Sequence, residues 1–170
     1  MTSITSKEFN KEYLEVKFTK NKNFMSVLYK NNTLYISSGK CKVPFGVDQY
    51  KNNYTMKLEN TPYRYIQKIE KCIEEKVNEY LKENNSLEKY TINSQIITKK
   101  RFKPDLIAKL PQVHGKFSMD IMNKRKEYKT YTDILPNSFI QTFLYVRSLW
   151  LKNNKIYYRW NCSTIMIDTM

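Results

Sequence analysis

Residues 139–167 read FIQTFLYVRSLWLK, then Asn153-Asn154, then KIYYRWNCSTIMI. Both arms are rich in β-branched and aromatic side chains and contain neither Gly nor Pro. Asn tolerates positive φ, so an Asn pair between two such arms predicts a tight hairpin. With Asn153 and Asn154 as the loop, Lys152 faces Lys155, Leu151 faces Ile156 and Trp150 faces Tyr157. Side chains alternate across a sheet, so each face can be written out. One carries Leu151, Ile156, Leu149, Tyr158, Trp160, Tyr145, Cys162, Phe143 and Met166 with a single Arg147, and reads as core. The other carries Lys152, Lys155, Trp150, Tyr157, Ser148, Arg159, Val146 and Asn161, an aromatic surface edged with cations. Bases stack on aromatic rings and cations track phosphates, so this face suits single-stranded nucleic acid. A second, smaller core under Trp150 and Tyr157, with merely solvated cations, is the other reading of the same pattern.

A chain of 170 residues is long enough for one domain with a real core, and its 41% hydrophobic and 14% aromatic content excludes a disordered polyelectrolyte. Thirty Lys and Arg against sixteen Asp and Glu leave a net charge of +14. Such a charge favours polyanions: nucleic acid first, an acidic membrane second, an acidic protein third. The cations are mostly Lys and Asn is abundant too, a joint excess that AT-rich coding also produces. The opening MTSITSKEFN has no apolar run of a secretory leader, and no stretch approaches the ~18 continuous apolar residues of a membrane span. Cys41, Cys72 and Cys162 form neither an even disulfide framework nor a metal pair, which points to a reducing intracellular compartment.

In chain order, Tyr13–Phe18 alternates and predicts a strand. Asn21-Lys22-Asn23 is turn chemistry, and 24–30 and 33–38 flank Asn31-Asn32 as a second Asn-Asn hairpin. Residues 42–51 form a connector in which Pro44 fixes φ and Gly46 permits φ > 0, so the chain bends sharply. Tyr54–Leu58 alternates as a strand. Thr61-Pro62 opens a helix, Thr as N-cap and Pro at the first helical position, and Asn84-Asn85 closes it. Its apolar stripe is Ile66, Ile69, Ile73, Val77, Tyr80 and Leu81, with Glu70, Lys71, Glu74, Glu75 and Lys76 on the other side. Tyr90–Thr98 and Lys116–Met122 read as strands, Pro104 and Pro111 as breaks. Two basic runs, 99–103 and 124–129, each enclose an aromatic, as a binding groove would, although a charge run alone is usually a solvated loop. Several short strands around one mid-chain helix predict a mainly β fold, an OB-fold-like β-barrel, with a β-sandwich carrying a helical insertion as the alternative.

The Pro44-Phe45-Gly46 turn, Tyr50, the strand Tyr54–Leu58 and the helix together resemble the single-stranded DNA-binding proteins of nucleocytoplasmic large DNA viruses. Leu149-Trp150 and Tyr157-Tyr158-Arg159-Trp160 fit the same family, which is similar to the OB-fold replication single-strand binders of certain tailed phages. The resemblance runs from about Lys42 to Ile167 and implies a non-enzymatic binder of single-stranded DNA in viral replication, recombination or repair. It implies the host cytoplasm or nucleus as the compartment, with no membrane partner and no cofactor or metal. Replication proteins as partners and a homodimer stay open. The family's acidic C-terminal tail has no counterpart in Ile165-Met166-Ile167-Asp168-Thr169-Met170, so that tail is absent or removed.

The phosphate candidates are Lys42, Lys51, Lys99, Lys100, Arg101, Lys103, Arg125, Lys126, Lys152, Lys155 and Arg159; the stacking candidates are Tyr50, Phe102, Trp150 and Tyr157. Two other classes compete. Pro104-Asp105 with Glu127-Tyr128-Lys129 has the outline of the PD-(D/E)-x-K metal-dependent nucleases, whose two carboxylates hold a divalent ion that activates water. That chemistry wants its E-x-K on a buried strand, whereas Glu127 stands among cations. A basic scaffold for RNA, duplex DNA or an acidic partner is the third class, and the acidic outer side of the one helix argues against major-groove reading. His114 has no companion for a zinc site or triad, and Ser38-Gly39-Lys40 lacks the upstream Gly of a phosphate-binding loop.

Overall fold

In the computed structural model of the protein, residue 4, residues 8–19 and residues 24–168 are described. The expected 21–23 turn lies outside them. In chain order the elements are β1 (Leu14–Phe18), β2 (Phe24–Tyr29), β3 (Asn32–Thr33), β4 (Tyr35–Val43), β5 (Val47–Tyr50), β6 (Asn53–Leu58), α1 (Tyr63–Glu83), β7 (Thr91–Ile92), β8 (Ile96–Ile97), β9 (Asp105–Leu110), β10 (Gln112–Val113), β11 (Lys116–Phe117), β12 (Asp120–Asn123), β13 (Ser138–Tyr145), β14 (Ser148–Lys152), β15 (Lys155–Tyr158) and β16 (Trp160–Asp168). The larger sheet runs β4-β13-β16-β9-β6-β5, with β12 beside the end of β16 and β8 beside β9. The smaller runs β1-β2-β14-β15-β7, with β3 beside β2. Helix α1 packs on β1 and β7, the two outer strands of the smaller sheet, and so closes its curl.

The closing hairpin spans both sheets. Its tip pairs as its sequence dictates, Trp150 opposite Tyr157 and Lys152 opposite Lys155, with Asn153 and Asn154 both at positive φ (49° and 55°). Its base does not keep the expected faces. Val146, placed outside by simple alternation, is buried, while Phe143 and Tyr145, placed in the core, lie half-buried and Met166 is exposed. Two irregularities explain the inversion. Val146 and Arg147 leave the strand where the chain passes from one sheet to the other, and on β16 a bulge sets Thr142 opposite Ile165 but Leu144 opposite Cys162. Each inserts one residue into a period-2 pattern and turns every later side chain to the opposite face.

The second Asn hairpin turns one residue earlier than expected. Lys30 and Asn31 take the positive φ values and Tyr29 pairs with Asn32. Only Asn32–Thr33 returns along β2, after which β4 crosses to the larger sheet. Gly46 (φ +72°) makes the predicted bend, and a Cβ there would meet the Ile134 carbonyl oxygen at 2.9 Å, so Gly is required twice over. The connector is shorter than expected, because Val47–Tyr50 pairs with β6 around Lys51. The helix starts at Tyr63 with Pro62 in the cap position, and Thr61 supplies no capping bond. Tyr90–Thr98 splits into β7 and β8, which join different sheets, and Lys116–Met122 splits into β11 and β12. Between Pro104 and Pro111, read as breaks, lies β9, a central strand whose prolines stand outside its ends.

Glu70 also departs from its expected place. It is buried, accepting hydrogen bonds from the Tyr158 hydroxyl and from Ser94 Oγ (2.8 Å). Burial pushes its carboxyl up to about 7, against the Ser94 hydrogen bond that lowers it. The three cysteines are buried and unpaired.

Candidate nucleic-acid interface

The outer face of the hairpin tip carries the expected aromatic cluster. Trp150 and Tyr157 stack with ring centroids 5.9 Å apart and planes 13° from parallel, and the Arg159 guanidinium lies 5.9 Å from the Trp150 ring. Register adds a ring that alternation along one segment does not reveal. Phe24 on β2 pairs with Trp150 and is 46% exposed, so Phe24, Trp150 and Tyr157 stand side by side across three strands. Lys152 and Lys155 are exposed at the tip, and Lys155 Nζ donates to Thr91 Oγ1 at 2.9 Å.

Below this cluster the outer face of the larger sheet opens into a trough of about 280 Å³, lined by Tyr50, Asn53, Thr55, Lys109 and Arg159 among others. Tyr50 is 70% exposed with Lys51 Nζ 5.5 Å from its ring, and Arg159 Nη1 donates to Asn53 Oδ1 at 3.4 Å. Burial pulls the Lys109 ammonium below its usual range, and the charge of Arg159 pushes in the same direction. Neither cation has a carboxylate partner among the described residues. Two like charges side by side in a partly buried trough repel, and an anion between them relieves that repulsion. Lys109 was not among the sequence candidates because its strand was hidden between two prolines. Its signal was there in Leu106, Ala108 and Leu110 alternating with Ile107 and Lys109.

The other candidates fall into two further groups. About 13 Å along β9 from Lys109, Phe102 (76% exposed) and Lys103 line a second hollow of about 240 Å³ together with Glu59, Lys99 and Asp105. Lys99 is engaged there, its Nζ 2.6 Å from Asp105 and 3.6 Å from Glu59. Lys57 reaches Asp105 at 3.8 Å and lies 5.2 Å from the Phe45 ring. Lys100 and Arg101 are exposed in the bend beside it. Lys42 stands between this hollow and the far end of the larger sheet: it pairs with Phe139, and its backbone exchanges two hydrogen bonds with Glu59 (3.2 and 2.9 Å). Arg125 and Lys126 belong to the far end, where Asn123, just before the Arg125 turn, pairs with Ile167. That is about 20 Å along β16 from the trough. There Asp168 holds both Lys40 (2.6 Å) and Lys124.

The nuclease outline does not assemble. Asp105 is buried and clamped by Lys99 and Lys57. Glu127 is exposed in a loop, accepting from Asn123 Nδ2 at 2.7 Å and paired with Lys129 at 3.5 Å.

No protein-family model and no curated protein matches the chain. Solved structures do. gp2.5, a single-stranded DNA-binding protein encoded by bacteriophage T7, is similar with a TM-score of 0.57 at 11% identity, covering 80% of this chain and 92% of that one. The single-stranded DNA-binding protein of bacteriophage Enc34 in complex with ssDNA gives 0.51 at 13% identity, covering 92% and 96%. Its C-terminal truncation gives 0.50 at 16% identity, covering 94% and 96%. At such identities the likeness speaks for the fold, a mainly β, OB-fold-like architecture with one mid-chain helix, as the sequence predicts.

Proposed function

We propose that this protein is a non-enzymatic, sequence-tolerant binder of single-stranded DNA that coats exposed strands during viral replication, recombination or repair, and that it is a relative of the single-strand binders of large DNA viruses. The observation that carries the reading is the Lys109–Arg159 pair, two cations without a carboxylate partner among the described residues, at the foot of the Phe24, Trp150 and Tyr157 rings. Cations in the trough neutralise phosphates and release counterions, which gives affinity without sequence preference and a steep dependence on salt. Rings on the hairpin stack on any base, each contributing ~1–3 kcal/mol. Lys51, Lys152 and Lys155 extend the cationic border at the two ends of this surface, and Lys100, Arg101 and Lys103 with Phe102 lie in the bend that leads into β9. The T7 and Enc34 proteins with this fold are single-stranded DNA binders by description, which supports the reading.

Titration with oligo-dT, oligo-U and duplex tests it. The proposal expects tight dT binding that weakens with salt, and far weaker duplex binding. Equal affinity for duplex would move the protein to the scaffold class, and preference for oligo-U would make RNA the ligand. Trp160 is fully buried, so quenching of tryptophan emission reports Trp150. Binding without quenching would take Trp150 out of the stacking set.

A further inference from the structure

Given single-strand binding, the outer face of the larger sheet holds more than the trough. Residues paired across neighbouring strands project to the same side, with Cβ atoms about 5 Å apart. Starting at the trough, Thr55 on β6 pairs with Lys109 on β9, Lys109 with Asn161 on β16, Asn161 with Tyr145 on β13, and Tyr145 with Tyr35 on β4. These five residues form one row at right angles to the strands. Their chain neighbours Ala108, Trp160, Leu144 and Ile36 are fully buried, so the row faces outward. At its far end Tyr35 and Tyr145 lie 5.4 Å apart, centroid to centroid, both partly exposed. Arg147 is exposed two residues beyond Tyr145, close enough to act on its hydroxyl, and has no carboxylate partner among the described residues.

We infer that the bound strand continues from the trough along this row, and that Tyr145 and Tyr35 form a second stacking platform with Arg147 beside it for a phosphate. Charge selects this row over the others on this face. The adjacent row sets Ser37 opposite Phe143 and brings no cation, and the next, through Lys40, Gln141, Met166 and Met122, has its cation cancelled by Asp168. Among the described residues the chosen row meets a carboxylate only at Asp48, which pairs with Thr55 on the outermost strand β5 and closes it. Four strand spacings give a track of about 19 Å. At the ~3.4 Å per nucleotide of a stacked strand that is no more than about six nucleotides.

The inference extends the proposed function, and length dependence separates the two. Wild type, Trp150→Ala and the double variant Tyr35→Leu/Tyr145→Leu are titrated with dT oligomers of about 5 and about 20 nucleotides, site sizes that bracket one such fold. Loss of a stacking platform corresponds to on the order of ten-fold or more in affinity. The double variant is expected to lose that factor on the long oligomer and little on the short one, and Trp150→Ala to lose on both. A double variant equal to wild type at both lengths, or weakened equally at both, overturns the row while leaving the hairpin site standing. Failure of the wild type to bind dT overturns both. Photocrosslinking of an iododeoxyuridine-substituted 20-mer to the unaltered protein is independent of variant folding. Adducts on the peptides holding Tyr145 or Tyr35 are expected, and adducts confined to residues 148–160 contradict the inference.

Discussion

The trough and the Asp105 corner lie on the same strand and use similar side chains to opposite ends. At the corner, Lys99 and Lys57 close on a buried carboxylate that they neutralise, and Glu59 shares Lys99. At the trough, Lys109 and Arg159 lie side by side, and neither is ion-paired to a carboxylate among the described residues. Asp168 with Lys40 and Lys124 repeats the arrangement of the corner at the far end of the sheet. A net charge of +14 says that the chain favours polyanions. Where a polyanion binds is decided by which cations the protein has left unmatched.

The largest expected effect is on binding. Lys109→Glu/Arg159→Glu replaces two unmatched cations by anions and should weaken oligo-dT affinity by on the order of a hundred-fold or more at low salt. Fluorescence anisotropy reads this, and unchanged affinity would dissolve the distinction between trough and corner.

Next comes stability as a function of pH, where Glu70 shows how the interior treats charge. Its folded-state pKa of about 7 lies above the ordinary 4.5, so the folded protein holds a proton that the unfolded chain gives up. The stabilising contribution is full below about 4.5 and is lost as pH rises through 7, a total of roughly 3 kcal/mol. Glu70→Gln should melt with a flatter pH dependence between pH 5 and about 8, and the same slope in both proteins would mean that Glu70 is ionised throughout.

Asp105→Ala should then cost about 2 kcal/mol of stability in a denaturant titration, less than a fully buried pair because Lys99 and Lys57 reach solvent. Its dT affinity should not fall, since Lys99 is released. A loss of affinity without a loss of stability would make the corner part of the binding surface. The smallest effect is expected from Lys40→Ala/Lys124→Ala, whose charges Asp168 already holds: less than about two-fold in dT affinity.

The sequence made the hairpin tip legible because Asn153 and Asn154 both accept positive φ between two evenly alternating arms, so the faces within five residues of that turn followed, whereas the Asn31-Asn32 pair alone left its loop one residue off. It could not carry the faces further. Alternation is counted along the chain, and the break at Val146–Arg147 and the bulge before Ile165 each shift the count without changing composition. This put Phe143 and Tyr145 in the core and left Tyr145 out of the candidate site. Phe24 was missed for a different reason: its place beside Trp150 depends on strand pairing between distant segments, which no local pattern encodes. Lys109 lay on a legible alternation masked by its flanking prolines, and only its place near Arg159 needed long-range pairing. Glu70 was legible and misread: it stands four residues after Ile66 and three before Ile73, on the apolar stripe itself.

The most direct test of the claim about unmatched cations is the salt dependence of oligo-dT binding for wild type, Lys109→Ala/Arg159→Ala and Lys40→Ala/Lys124→Ala. Each lost phosphate contact lowers the slope of log K against log salt by about 0.7 for a single strand, so the trough variant should lose about 1.4 and the Asp168-paired variant nothing. Equal slopes in all three proteins, or equal losses in the two variants, would contradict it.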